Sequence, residues 1–535
     1  MLIDQTLITQ SLVTKQAPNK LHPSATIIYH SEIDRIGEET ILHDLNQSST
    51  QNISRLTPEF SQPESDKSRS IADPYISRKP LKLSLVNGGL NIKRSAGLSG
   101  NVTINNRLLI DELFIVGNEW KNGVVISMCN RVVIFIHHAP RSKAVSLNKH
   151  NLLGESYAIN QLRQTINRVA DLNISVLIRG ETGTGKELVA QAIHNNSQRN
   201  QQQFVSVNVG AIPESLAISE LFGSKKGAFT GATKDRAGYF QQADKGTLFL
   251  DEIGDAHEQI QVALLRTLET GDVTPVGSSN SIHVDVRLLA ATDVDLEKSV
   301  LNEHFRSPLL QRLAGFEIRI PPLRKRREDI GRLLAHFLIS ELNNVGEIRH
   351  LENTSQNISF WAGLFTKACV YDWPGNIRQL KNIAQQLAIY NRDADYLTIP
   401  DHINELFSFQ KIQTKTSDIH SSQDSSILIE SINKTDSQDK PIRRKPSTVS
   451  ESELIIALKQ QRWDLKATAE QLNISRAALY KIIDNTASVR TASDLCIDDL
   501  RNAFQKASGD LEKMVDLLEV SKAALKRRMK DFDII

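Results

Sequence analysis

The residues best suited to chemistry begin at an apolar run, Val176 to Ile178, that leads into Gly180-Glu181-Thr182-Gly183-Thr184-Gly185-Lys186, with a helical pattern after it. This is G-x-x-x-x-G-K between strand and helix, the spacing that cradles phosphates. Its glycines let backbone N–H groups close around an anion, the helix start adds its positive end, and Lys186 supplies a point charge. Glu187 stands where a magnesium-binding hydroxyl is usual, so other groups must hold the metal. A second constellation, GTLFLDEIGD, sets Asp251 and Glu252 after an apolar strand. Carboxylates at the end of a buried parallel strand sit where ligands bind in such sheets. Asp251 suits magnesium, and Glu252 can polarise a water against a γ-phosphate. A third strand, HVDVRLLAATD, ends in Thr292 and Asp293, where a γ-phosphate sensor could stand. In FRSPLLQRL, Arg306 and Arg312 could meet charge developing on a transferred phosphoryl group; taken alone they read equally as a solvated helix face.

These residues need a parallel sheet to bring strand ends together, and the stretch from about Leu152 to Phe407 alternates strand-like runs with helical periodicity, as an α/β fold requires. Before it, from Ala25 to about His138, short β-branched runs separated by turn residues predict an all-β sandwich, with hairpin turns at Asn87-Gly88 and Asn122-Gly123. Residues 1–20 read as a loose terminus. Residues 409–450, rich in Ser, Asp, Lys, Gln and Thr, read as a flexible linker. The expected domains are 21–140 (sandwich), 150–322 (α/β), 323–408 (helical lid), and two small all-α units, 451–486 and 494–535. Those two units are a repeat: DLKATAEQLNISRAALYK from Asp464 matches DLEKMVDLLEVSKAALKR from Asp510, a shift of 510 − 464 = 46 positions.

Composition narrows the function classes. The 535 residues are 40% hydrophobic and 24% charged, which excludes a wholly disordered, collagen-like or membrane-bundle chain. Lys plus Arg, 64, nearly balances Asp plus Glu, 62, so any nucleic-acid surface must be local. Three cysteines, Cys129, Cys369 and Cys496, fit neither a disulfide framework nor a zinc site and point to a reducing cytoplasm. The start, MLIDQTLITQ, lacks a signal peptide's features, and no window reaches the length of a membrane helix.

The central block resembles the AAA+ domain of bacterial enhancer-binding proteins, the activators of sigma-54 RNA polymerase. The likeness runs through GETGTGKE, SELFGSKKGAFTGA, GTLFLDEIGD, LLRTLETGDVTPVG, VRLLAATD, FRSPLLQRL, IPPLRKRREDI and WPGNIRQL, over about residues 152–400. It implies an ATPase using ATP and magnesium in an oligomeric ring, a hexamer built from dimers. Gly227, Ala228, Phe229, Thr230, Gly231 and Ala232 would form the loop that engages sigma-54. Glu187 is usual in the family. Asn208 would restrain the catalytic Glu252, Arg306 and Arg312 would reach a neighbouring subunit's nucleotide, and Arg378 would contact nucleotide from the lid. The chain departs from the family at Val209, Ser224, Asp293 and the FRSPLLQRL segment; Asp293, a carboxylate near the γ-phosphate, is expected to alter turnover.

The C-terminal repeat resembles a Fis-type helix-turn-helix. In its first copy, Ser475 caps a recognition helix presenting Arg476, Ala477, Tyr480 and Lys481 to double-stranded DNA. In the second, Lys522, Lys526 and Arg527 form a denser basic surface. The N-terminal block resembles a forkhead-associated sandwich, ISRKP (Ile76 to Pro80) echoing its serine-arginine loop, which implies a phosphopeptide or a regulator protein as partner; Arg35-Ile36-Gly37 is not in that family's glycine-arginine order. Taken together, these features describe a cytoplasmic multidomain activator that remodels the closed sigma-54 polymerase complex from upstream DNA. A repressor with a vestigial ATPase would not need intact GAFTGA and nucleotide motifs, and a protein unfoldase would not need a DNA-binding tail.

Overall fold

The computed structural model describes residues 21–46, 48–63, 65, 67–140, 149–228, 233–352 and 354–407, with scattered positions between 457 and 529. The chain divides into two units, Met1–Gln423 and Asp424–Ile535. No helix among the described residues is long and apolar enough to cross a membrane.

The first unit opens with a β-sandwich. Its strands are β1 (Leu21–Tyr29), β2 (Glu39–Ile41), β3 (Gln51–Ile53), β4 (Phe60–Ser61), β5 (Ser68–Arg69), β6 (Leu81–Val86), β7 (Gly89–Arg94), β8 (Val102–Ile104), β9 (Arg107–Leu108), β10 (Glu112–Ile115), β11 (Val124–Met128) and β12 (Val132–Pro140), with α1 (Gly117–Lys121) before β11. One sheet runs β5-β4-β2-β1-β12-β11-β8-β9, and the other β10-β7-β6-β3. Asn87 and Gly88, both at positive φ, turn β6 back onto β7 with Val86 opposite Gly89. Asn122-Gly123 differs from expectation. Asn122 ends the short helix α1 in a right-handed conformation, and only Gly123 has positive φ, so the pair stops a helix instead of closing a hairpin. Asn105-Asn106, both at positive φ, make the turn between β8 and β9.

The sheet containing β1, β11 and β12 is apolar on both faces. Ala25, Ile27, Val124, Ile126, Ile134 and Ile136 fill the sandwich interior. The alternate positions, Ile28, Tyr29, Val125, Val133 and Phe135, enter a different core, with Leu334, Leu338, Trp361 and Phe365 of the lid. A strand buried on both sides loses polar alternation, which explains continuous runs such as VVIFI. The two bodies approach closely: a Cβ on Gly331 would lie 2.5 Å from the Ile28 carbonyl oxygen. The Tyr29 and Phe365 rings meet at a tilt of 44° with centroids 5.0 Å apart, and Arg332 donates to the Gly37 carbonyl at 3.1 Å and to Gln62 Oε1.

The α/β body comprises α2 (Tyr157–Ala170), β13 (Val176–Arg179), α3 (Lys186–Asn195), β14 (Phe204–Asn208), α4 (Glu214–Phe222), α5 (Tyr239–Gln242), β15 (Thr247–Asp251), α6 (Glu258–Thr270), the hairpin β16 (Asp272–Val273) and β17 (Ile282–His283), β18 (Arg287–Thr292), α7 (Leu296–Leu301), α8 (Ser307–Leu313) and β19 (Phe316–Arg319). Its parallel sheet has the order β14-β15-β18-β13-β19. The ends of β13, β14, β15 and β18 therefore share one edge, and the phosphate loop, Asn208, Asp251 and Thr292 with them. The lid follows as α9 (Ile330–Val345), α10 (Ser355–Val370) and α11 (Asn376–Tyr390). Asp329, just before α9, accepts from Glu155 N, Ser156 N and Ser156 Oγ at 2.7, 2.9 and 2.5 Å, tying the lid to the start of α2.

In the second unit, the described residues include buried positions of both repeat copies. Ala457 pairs with Ala503, Thr468 with Met514, Ala469 with Val515 and Leu479 with Leu525 at the 46-residue shift, and all eight are buried.

Glu328 sits at the junction of sandwich and lid. Burial, then Asp329 and Glu39, push its carboxyl up from about 4.5 to about 8, against the pull of Arg326. The folded chain thus keeps a proton there that the unfolded chain releases near pH 4.5, so stability contributed at this position falls as pH rises from about 4.5 to 8. Glu328→Gln should therefore melt higher than the wild type at pH 8, with the gap closing towards pH 5. Thermal unfolding across that range checks it; a pH-independent gap would contradict the assignment.

Candidate active site

The phosphate loop is built from conformations its sequence requires. Gly183 and Gly185 have φ of +80° and +98°, and Gly185 caps α3. A Cβ on Gly183 would lie 2.4 Å from the Gly375 carbonyl oxygen, so a side chain there would clash with the lid. Lys186 is buried and donates to the Gly180 carbonyl at 3.0 Å, across the mouth of the loop. Thr184 donates to the Glu181 carbonyl, which shapes the turn. Glu187 is exposed on the first turn of α3.

On the facing strands, Asn208 pairs in register with Asp251. Asp251 Oδ1 accepts from the Glu252 N–H at 3.0 Å. Glu252 is held left-handed, at φ 55° and ψ 41°, a conformation a glutamate adopts only where its surroundings impose it. Its carboxylate turns towards Gly210: a Cβ on that glycine would lie 3.1 Å from Glu252 Oε2 and 3.5 Å from both Asn208 Oδ1 and Asp255 Oδ2. Asn208 and Glu252 thus converge over one glycine that leaves room for both. Asp255 was not singled out from the sequence. Burial, then Glu252 and Asp293, raise its pKa, so these carboxylates crowd one another. Oxygen donors are the kind magnesium takes, but among the described residues no group of three or more His, Cys, Asp or Glu is arranged to hold a metal ion by itself.

The end of β18 carries two polar residues with different surroundings. Thr292 is fully buried, and its hydroxyl accepts from the Val294 N–H. Asp293 is exposed and accepts from the Thr182 hydroxyl at 2.5 Å. The side chain of this strand that reaches the phosphate loop is therefore Asp293, because the Thr292 hydroxyl is spent on the turn beyond it.

Arg306 is half exposed and paired with Glu258 at 2.6 Å, and Arg312 lies exposed on α8. Neither is engaged with its own subunit's phosphate loop. Arg378 is exposed, and its backbone N–H donates to the Gly183 carbonyl at 3.3 Å, which sets it above the loop.

The described flanks of the segment from Lys225 to Asp235 meet in a closed base. Ser224 and Arg236 exchange both backbone hydrogen bonds, at 2.9 and 2.8 Å, and Lys225 pairs with Asp235 at 2.6 Å. Lys225 N also donates to the Val276 carbonyl, bracing this base against the loop between β16 and β17. Gly227, at φ 80°, has no neighbour within 4 Å of a Cβ position. Phe229, Thr230, Gly231 and Ala232 lie outside the described residues, as do Ser475, Arg476, Ala477, Tyr480, Lys481, Lys522, Lys526 and Arg527.

Residues 152–319 match the sigma-54 interaction domain, and residues 324–418 the AAA+ ATPase lid domain. The central block is an AAA+ ATPase domain of the sigma-54 interaction type. Similar proteins include the anaerobic nitric oxide reductase transcription regulator NorR of Aliivibrio fischeri, 44% identical over 48% of this chain and 49% of its own. The Nif-specific regulatory protein of Klebsiella pneumoniae is 45% identical over 45% of this chain and 44% of its own. The DNA-binding transcriptional regulator NtrC of Salmonella typhimurium is 44% identical over 50% and 55%. The chain thus spans about half the length of the curated relatives it matches. Among solved structures, NtrX from Brucella abortus in complex with ADP is 27% identical, covering 64% of this chain and 70% of that one, with a TM-score of 0.41.

In this ATPase domain, Lys186→Ala should abolish nucleotide binding, because it removes the charge at the mouth of the loop. Glu252→Gln should leave binding intact and stop hydrolysis. Equilibrium binding of a fluorescent ATP analogue, with steady-state phosphate release, separates the two; normal turnover in Glu252→Gln would remove that residue from the mechanism.

Proposed function

We propose that the chain is a sigma-54-dependent transcription activator that binds upstream DNA and, as a hexameric ring, uses ATP hydrolysis to convert the closed sigma-54 polymerase complex to the open one. The observation carrying this reading is the GAFTGA segment, Gly227 to Ala232, on a braced base within a domain matching the sigma-54 interaction family. In this reading, Glu252 orients and deprotonates the attacking water, restrained by Asn208 until nucleotide and neighbour are in place. Magnesium at Asp251 would supply charge neutralisation for the phosphates. Lys186 and the loop amides hold the β- and γ-phosphates, and Arg306 and Arg312 of the adjacent subunit complete the site. Their exposure, away from their own phosphate loop, is consistent with a role across an interface.

The repeated tail supports DNA binding, since matching positions of the two copies are buried alike and both keep the serine cap and Ala-Ala-Leu segment. For the sandwich, the forkhead-associated resemblance leaves two roles open, binding of a regulator protein or phosphopeptide recognition. Arg35 is not available for it, being buried and forked onto Glu38. The arginine beside the serine-arginine loop is Arg55, whose backbone N–H donates to the Ser77 carbonyl at 3.0 Å and whose guanidinium donates to the Pro74 carbonyl at 2.9 Å, with Arg78 and Lys79 exposed next to it.

Thr230→Ala should retain ATPase activity and fail to drive open-complex formation in a purified sigma-54 transcription system; normal activation would overturn the loop's role. In the tail, Arg476→Ala should weaken binding at the specific site by about 1–3 kcal/mol while sparing random DNA, as loss of a bidentate base contact does. Lys526→Ala with Arg527→Ala should weaken binding to every sequence and flatten its salt dependence by up to about two phosphate contacts. Titrations of specific and random duplexes at several salt concentrations decide both.

A further inference from the structure

The second residue of the phosphate loop is gripped by the lid. Both arms of the Arg324 guanidinium donate to the Glu181 carboxylate, Nη1 to Oε2 at 2.7 Å and Nη2 to Oε1 at 2.5 Å. Asn376 adds a third donor, its Nδ2 standing 3.2 Å from Glu181 Oε2 and 3.1 Å from the Thr182 carbonyl. The other end of the same amide, Oδ1, accepts from the Leu323 N–H at 2.8 Å. Asn376 is completely buried and left-handed, at φ 50°, a conformation asparagine tolerates better than most residues. The next two N–H groups, of Ile377 and Arg378, both donate to the Gly183 carbonyl. Three consecutive loop residues, Glu181 to Gly183, are thus tied to Leu323-Arg324 and to the first turn of α11.

We propose that Glu181, Arg324 and Asn376 form a clamp that positions the phosphate loop against the lid, and so sets the height of Arg378 over the nucleotide phosphates. None of the three is a catalytic residue. The Glu181 carboxylate is turned from the phosphate cradle by the Arg324 fork, which, against the opposing effect of burial and with help from Asn376, holds its pKa low and keeps it ionised at neutral pH. An ionised carboxylate left loose in an anion-binding loop would repel the nucleotide; paired with a guanidinium it presents no free negative charge. The clamp therefore does two things for ATP: it cancels a charge and fixes the lid arginine two residues beyond Asn376. Arg324 suits the task because its planar fork meets both carboxylate oxygens, which a lysine cannot do.

The inference rests on the ATPase reading, which is tested separately by wild-type turnover and its loss in Lys186→Ala. The clamp is tested by steady-state ATPase kinetics and binding of a fluorescent ATP analogue to the full chain carrying Arg324→Ala, Arg324→Lys, Glu181→Gln or the Arg324→Ala/Glu181→Gln pair, each checked for an unchanged melting profile. Arg324→Ala should raise the KM for ATP about fivefold, the scale of one partly exposed ion pair, with a smaller change in kcat. Arg324→Lys should recover only part of that loss. Glu181→Gln in the Arg324→Ala background should bring KM back towards the wild type, because the unpaired charge has gone. The proposal is overturned if KM is unchanged in Arg324→Ala, if the two changes simply add, or if kcat falls with KM intact. A variant that misfolds is replaced by Arg324→Gln, for which the same KM rise is expected and whose failure to show it counts equally against the clamp.

Discussion

The contact on which the rest of the first unit depends is the carbonyl of Gly183 meeting the first turn of α11. A phosphate loop buries almost no apolar surface of its own, and at Gly183 a residue other than glycine would collide with Gly375. The loop is instead shaped from outside, by two backbone donors of α11 and by β13 beneath it. What binds in the loop thereby feels where the lid is. The lid in turn is pinned to α2 by Asp329 and shares a core with the β-sandwich. Nucleotide, lid and N-terminal body form one mechanical series.

Much of this was legible in the sequence, and the reasons differ by region. Phosphate loop, Asp251-Glu252 and sensor strand are local patterns whose spacing alone sets them on strand ends, so the parallel sheet that gathers them could be read in advance. Asn208 and Arg378 came only through family likeness. Glu181's partners could not be read at all: Arg324 and Asn376 lie far along the chain, inside IPPLRKRR and WPGNIRQL, where basic and polar residues are plentiful and no spacing rule selects one. Asp255 was hidden for a similar reason, since its nearness to Glu252 follows from the left-handed bend at Glu252, which the sequence does not announce. The Asn122-Gly123 pair misled because the same dipeptide can close a hairpin or end a helix; the preceding residues, buried at Trp120, decide for the helix.

Asp293 illustrates how a departure is absorbed. A bare carboxylate facing the phosphates would be costly, yet here it accepts the Thr182 hydroxyl and so bridges the sensor strand to the loop. The negative charge remains, close enough to Asp255 that it and Glu252 add to burial in raising the Asp255 pKa.

The double-faced sheet of β1, β11 and β12 bears on how such a chain can be inherited. N-terminal modules that hang from a linker can be exchanged among proteins at no cost to the engine they precede. Here Ile28, Tyr29, Val125, Val133 and Phe135 are fitted to Leu334, Leu338, Trp361 and Phe365, and Gly331 exists in the form it does because Ile28 leaves no room for a side chain. A recombination event that replaced the sandwich would strand an apolar surface on α9 and α10. A substitution on one side of this seam changes the volume that the other side must fill.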